Sequence, residues 1–242
     1  TDTGATIVDA DFRGITSVAT LNTGNGTNAI TLASGADATG IATLTGGTGK
    51  DTINISSVDF DNTITITAGA NADTVTLGAQ TATVKFTSTS AAAFATESAV
   101  TAGTDNDFNA GIKGDKISGF TSGTDKLKFA AAAITSAIGT EVDTLKSIGA
   151  GGTIANTDRF VELTATQTNA QMGTIITAIN ALTTTAVAIA DSCIIFAHDG
   201  NDGYLYLLEQ DSAADTVTED DVTLIAQLTG VTDIANGDLV SF

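Results

Sequence analysis

The chain has 242 residues, with no proline or tryptophan, one cysteine and 28 acidic against 9 basic side chains, for a formal charge of −19. That balance excludes a nucleic-acid binder or a reader of anionic membranes, both of which need a basic face. A single cysteine leaves no intrachain disulfide and no thiolate zinc site, and no apolar run approaches the roughly 18–20 residues of a membrane span, so stability must come from packing or from bound ions.

Thr1 opens the chain without methionine and without a basic and apolar leader, which reads as the C-terminal piece of a longer protein. The first third is a repeat. Val18–Leu32 (VATLNTGNGTNAITL), Ile41–Ile55 (IATLTGGTGKDTINI) and Ile64–Leu77 (ITITAGANADTVTL) align, with Val18, Ile41 and Ile64 spaced by 23 residues. Each unit is a short alternating run rich in Thr and β-branched residues, a Gly-rich turn and a second alternating run. Alternation points Ile53, Ile55, Ile64, Ile66, Val75 and Leu77 inward, and a period near 23 suits one coil of two strands and two turns. The expected fold is mainly β: a parallel β-solenoid over residues 1–129, then a β-rich cap over 130–242 with one or two helices.

The turns carry the chemistry. Gly46–Asn54 (GGTGKDTIN) matches the whole G-G-x-G-x-D-x-U-x nonapeptide of calcium-binding β-rolls. Glycine admits positive φ, which turns carbonyl oxygens inward, and the Asp adds a charged oxygen, together the hard donor set Ca²⁺ prefers. The candidate ligand positions are Gly47, Gly49 and Asp51 here, Gly24, Gly26 and Asn28 one turn earlier, and Gly69, Asn71 and Asp73 one turn later. In the two flanking turns Asn28 replaces Asp, and Ala68 and Asn71 replace glycines. Tight solenoid turns without an ion are the competing reading. On the opposite edge Gly35-Ala36-Asp37 and Val58-Asp59-Phe60-Asp61 lack the glycine pattern.

These turns resemble the repeats-in-toxin family of secreted calcium-binding proteins, and Gly114–Phe129 (GDKISGFTSGTDKLKF) looks like the segment that follows the last β-roll turns in that family. Asp115, Ile117, Phe120, Gly123, Asp125 and Leu127 fall on its pattern. Ile117, Phe120, Leu127 and Phe129 are expected to close the open solenoid end, with Asp115 and Asp125 as further ligands. Ser88–Phe108 is expected to be an inserted loop or irregular coil, within which Asp107 is a further candidate ligand. Ile194–Gln210 reads as a hairpin around Asp199–Gly203, and, with Val222–Val231, resembles strands of the family's C-terminal caps. Asp238–Phe242 looks like an uncleaved type I secretion signal. Thr168–Leu182 is expected to be a helix packed on the cap sheet, with Thr168 and Gln171 as a capping box and Met172, Ile175, Ile176 and Ile179 on one face.

A single histidine excludes an H-E-x-x-H zinc site, and no G-x-S-x-G elbow occurs. His198 reads as a surface or turn residue and Cys193 as a buried small hydrophobe. The acidic run Asp211–Asp221 lacks the glycine and the final Glu of a helix-loop calcium site. Within the resemblance, the Thr/Ala-rich composition is closest to surface-layer proteins and large adhesins. The expectation is therefore a noncatalytic, calcium-binding module at the bacterial cell surface, self-associating into a lattice, with cell-surface polysaccharide as a partner through missing parts of the chain. An adhesin or ligand-binding module, or the noncatalytic tail of a secreted enzyme or toxin, is the alternative. Thr43, Thr45, Thr65 and Thr67 suggest a binding ladder, but in the sequence they do not extend as a regular T-x-T array over enough coils.

Overall fold

The computed structural model describes residues 3–57, 60–98, 114–134, 142–149, 152–155, 157–167, 172–182, 192–209 and 216–242. In chain order the solenoid strands are β1 (Thr6–Val8), β2 (Thr20–Asn22), β3 (Ala29–Thr31), β4 (Thr43–Thr48), β5 (Thr52–Asn54), β6 (Ile64–Ala70), β7 (Thr74–Thr76), β8 (Ala82–Phe86), β9 (Asp115–Ser118) and β10 (Lys126–Phe129). The second half supplies β11 (Val142–Ile148), β12 (Asp158–Leu163), β13 (Ser192–His198), β14 (Gly203–Glu209), β15 (Val222–Thr229) and β16 (Leu239–Ser241). Among the described residues the α-helices are α1 (Ser34–Asp37), α2 (Ala91–Glu97) and α3 (Met172–Asn180).

Odd and even strands of the first half separate into two facing parallel sheets, as a solenoid requires. One sheet has the order β1-β3-β5-β7-β9-β15-β14-β13-β12-β11, the other β16-β10-β8-β6-β4-β2. Register follows the repeat: Ile30 pairs with Ile53, Ile53 with Val75 and Val75 with Ile117, while Leu44 pairs with Ile66 and Val84 with Leu127. All of these side chains are buried, and each contributes about 2 kcal/mol of apolar burial to the stack. The inward set read from the alternation, Ile53, Ile55, Ile64, Ile66, Val75 and Leu77, lies in this core.

The segment Gly114–Phe129 does not close the solenoid end. β9 pairs with β7 on one side and β15 on the other, and β10 lies between β8 and β16, so these strands form an interior fifth coil. A sixth coil, β15 and β16, follows only after a long excursion, since Ile117 pairs with Leu228 and Leu127 with Leu239. Within that excursion β13 and β14 form the expected antiparallel hairpin, and β15 is both the hairpin's third strand and the parallel neighbour of β9. The ten-stranded sheet thus crosses residues 129–130 without a break, and Phe160, Phe196 and Leu207 share one core with the solenoid's Phe86 and Phe129. Cys193 is buried in β13, and His198 ends that strand.

One further correction lies in the connections. Within the stretch expected to be irregular, Ala91–Glu97 is helical, because Ser90 caps it, its Oγ accepting the N–H of Ala93 at 3.3 Å, and the Ala run favours helix. α2 buries Phe94 and Ala95. On the edge without the glycine pattern, Gly35-Ala36-Asp37 lie in the single turn α1, whose N–H groups point at Asp9. The described part of the C-terminal helix begins at Met172, and Ile175 and Ile179 pack on the cap sheet as expected; its proposed capping box, Thr168 and Gln171, lies outside the described residues. Among the described residues no helix is long and apolar enough to cross a membrane.

Candidate metal centre

The Gly-rich turns stack on one edge, between β2 and β3, β4 and β5, and β6 and β7. Gly24, Gly26, Gly47, Gly49 and Gly69 all have positive φ, and Asn71 joins them at φ 79°, a left-handed conformation that its side chain tolerates better than most. Gly49 shows why the motif demands glycine. At φ 123° a Cβ there would sit 2.6 Å from the carbonyl oxygen of Gly26 in the preceding coil.

The acid position forms a continuous ladder. Asn28 Oδ1 accepts the N–H of Ala5 at 2.8 Å, Asp51 Oδ1 that of Asn28 at 2.7 Å, Asp73 Oδ1 that of Asp51 at 2.7 Å, and Asp115 Oδ1 that of Asp73 at 2.9 Å. Each side chain therefore holds the equivalent residue of the coil before it, which fixes register at the one turn edge where the strands themselves are only three residues long. Asp115 belongs to the ladder although 42 residues separate it from Asp73.

What differs along the ladder is the second side-chain atom. In Asn28 it is Nδ2, which donates to Gly24 O at 3.2 Å, Gly26 O at 2.9 Å, Gly46 O at 3.1 Å and Asp51 Oδ1 at 2.9 Å. In Asp51 and Asp73 it is Oδ2, fully buried and with no hydrogen-bond partner. Asp51 Oδ2 and the carbonyl oxygen of Ala68 both lie beside the place a Cβ on Gly46 would occupy, so any Cβ there would collide with both. An anionic oxygen facing a carbonyl oxygen with no donor between them is costly unless a proton or a cation intervenes. Burial accordingly raises the Asp51 carboxyl above the usual range despite its bonds from Asn28. Burial pushes Asp73 up to about 8, against the bond from the Asp51 N–H and helped by the charges of Asp51 and Glu97. Asp115 stands well above its ordinary value through burial and the neighbouring Asp73.

These donors fit a hard cation: one carboxylate oxygen per coil plus inward carbonyls is an oxygen-only set. Among the described residues no group of three His, Cys, Asp or Glu side chains converges, so backbone carbonyls would have to supply most of the ligands. Asn28 does not fit, since its amide nitrogen fills the oxygen nest that an ion would need. Asp125 on the other edge is satisfied already, with Oδ1 accepting the N–H of Ala82 at 2.8 Å and Oδ2 that of Thr121 at 2.7 Å, which makes it a turn staple. Asp107 lies outside the described residues.

Sequence reasoning missed Glu97. It ends α2 and is buried, its Oε2 accepting the N–H of Ser88 at 3.3 Å, and burial raises its carboxyl. The preceding Thr96 offers its carbonyl to the N–H of Asn71 at 3.2 Å, so α2 covers the third turn where a further glycine turn would stack. The only sequence signal was a Ser followed by an Ala-rich run.

No family model matches the chain, and no curated protein matches it. Among solved structures, the solution structure of the AlgE6R3 subunit from the Azotobacter vinelandii mannuronan C5-epimerase is similar, with 13% identity and a TM-score of 0.31 over 95% of this chain and 74% of that one. By its own strand order the chain is a mainly β protein built on a parallel β-solenoid.

Proposed function

We propose that the chain is a calcium-stabilised, noncatalytic structural module of a bacterial surface protein, exported by type I secretion and assembling outside the cell as a surface-layer subunit. The observation that carries the calcium reading is the pair of buried, partnerless carboxylate oxygens, Asp51 Oδ2 and Asp73 Oδ2, each in a glycine or asparagine turn. Asp51 with the carbonyls of Gly47, Gly49 and Ala68, and Asp73 with those of Gly69 and Asn71, would hold the ions. A bound divalent ion supplies the positive charge that lets these carboxylates ionise in the folded state. The acidic composition supports the extracellular setting, because a chain of charge −19 is loosened by self-repulsion where calcium is scarce and tightened where it is abundant. The surface-layer assignment draws on the family resemblance of the sequence. Light scattering across a millimolar calcium series tests it: particles should grow and then disperse on chelation, whereas a persistent monomer at every calcium level removes the lattice reading.

One observation favours the adhesin alternative. Thr20, Thr43, Thr65 and Thr83 pair in one continuous row across four strands, with Asn22, Thr45 and Thr67 in the next, although a full T-x-T pair stands only on β4 and β6, as the sequence implied, and Thr83 is buried. Lys85 and Lys128 pair farther along the same sheet. Retention of the monomer on immobilised glycans, lost on replacing Thr45 and Thr67 by Val, would favour this reading.

A further inference from the structure

The three stacked turns are near-copies, so they serve as controls for one another. Gly24, Gly26, Gly46 and Asp51 surround the Asn28 amide, and by the repeat the equivalent positions one coil on are Gly47, Gly49, Ala68 and Asp73, of which Ala68 lies with its carbonyl near Asp51 Oδ2 and Asp73 accepts the Asp51 N–H. Four oxygens lie within 3.2 Å of Asn28 Nδ2. An amide nitrogen has two hydrogens to offer, and its surroundings here are those of a small cation: oxygen only, from two successive turns, one of them a carboxylate. In the next turn the corresponding atom is Asp51 Oδ2, which has no donor at all.

We propose that the Asn28 side-chain amide is a built-in substitute for the cation, so that the first turn closes without an ion and only the Asp51 and Asp73 turns take one. Resting on the calcium reading above, this deepens it by assigning which turn is ion-independent. The amide polarises the same carbonyls, and its Oδ1 keeps the ladder bond to Ala5, so the swap from Asp to Asn changes only the second atom. Its consequence is an ion-free coil that can hold register with β1 and β5 before calcium arrives, leaving the next two coils to respond to the ion.

The test is the exchange of the two residues in the whole chain, with calorimetric stoichiometry and melting temperature as readouts. Asn28→Asp should bind one more calcium than the wild type, and in calcium-free buffer it should melt lower. Asp51→Asn should bind one fewer, and in calcium-free buffer it should melt higher by about 3–6 °C, because its new amide satisfies the orphaned nest. A wild type that binds calcium while Asn28→Asp binds the same number overturns the inference and leaves the calcium reading intact. If the wild type binds none, the calcium reading fails, and the ion-free melting of Asp51→Asn still decides whether the amide fits the nest: a lower melting temperature than wild type refutes it.

Discussion

Asp73 accepts the backbone N–H of Asp51 on Oδ1 at 2.7 Å, while its other carboxylate oxygen, equally buried, faces no donor. One half of the side chain thus holds the coil and the other half creates a demand for positive charge. If two such turns each bind calcium near 10⁻⁴ M, a millimolar concentration stabilises the fold by about 1.4 kcal/mol per site, about 3 kcal/mol together. For a chain of this size that corresponds to about 6–12 °C. Melting in 1 mM calcium should exceed melting in chelator by that margin, and equal values would eliminate both sites.

The same carboxylates set an unusual pH dependence. Asp73 is raised from 3.8 to about 8 and Asp51 and Asp115 are raised as well, so the ion-free folded state holds their protons more tightly than the unfolded chain does. A raised folded pKa contributes stability that is fully present below about 4 and is lost as pH climbs through about 8. In calcium-free buffer the melting temperature should therefore fall between pH 5 and pH 8.5. In calcium the fall should shrink, since the ion replaces the protons, and binding at pH 7 should release protons measurable by calorimetry in buffers of different ionisation enthalpy. Asp9 moves the other way, held low by N–H groups of Gly35, Ala36 and Ala33 against a burial effect, and its contribution disappears only in acid. A calcium-free melting temperature that rises from pH 5 to pH 8.5 would contradict the ladder's protonation.

The turn glycines are not equivalent. Gly24, at φ 72°, has open space beside its Cα, so Gly24→Ala incurs only the left-handed backbone penalty of about 1–2 kcal/mol. At Gly49 a Cβ also meets the Gly26 carbonyl at 2.6 Å, and Gly49→Ala should cost about 3–4 kcal/mol. Urea unfolding at fixed calcium separates the two; equal losses would mean that the coils can move apart at this edge.

Periodicity made the middle of the solenoid legible, because Leu44, Ile53, Ile66 and Val75 repeat within 23 residues and alternate strictly. It could not reach the sixth coil, since nothing local to Leu228 or Leu239 reveals that they stack on Ile117 and Leu127 more than a hundred residues earlier. Asp51 and Asp73 stood out by motif, yet the role of Asn28 was invisible in sequence, where Asn and Asp look interchangeable as oxygen donors. Only the positions of Gly24, Gly26 and Gly46 show that nitrogen, not oxygen, faces the nest. α2 was obscured by composition: an Ala-rich run with one Phe has little helical periodicity, and what orders it is Phe94 docking against Phe129.

Phe129 is the residue through which the two halves should unfold together. Its ring stacks on Phe86 at 5.1 Å and 9°, and meets Phe94 of α2 at 6.5 Å and Phe160 of β12 at 6.1 Å. It is fully buried, so Phe129→Ala should cost about 3–5 kcal/mol from lost burial and the cavity left behind. Because solenoid strands and β12–β15 share that core and one continuous sheet, the loss should lower a single transition rather than split it. The chain provides its own local probe: with no tryptophan, its two tyrosines, Tyr204 and Tyr206, both lie in β14 of the second half. Near-ultraviolet dichroism from these rings and far-ultraviolet dichroism from the whole chain should melt at one temperature in the wild type and shift together in Phe129→Ala. A tyrosine signal that survives after the far-ultraviolet signal has collapsed would show the second half folding independently of the solenoid.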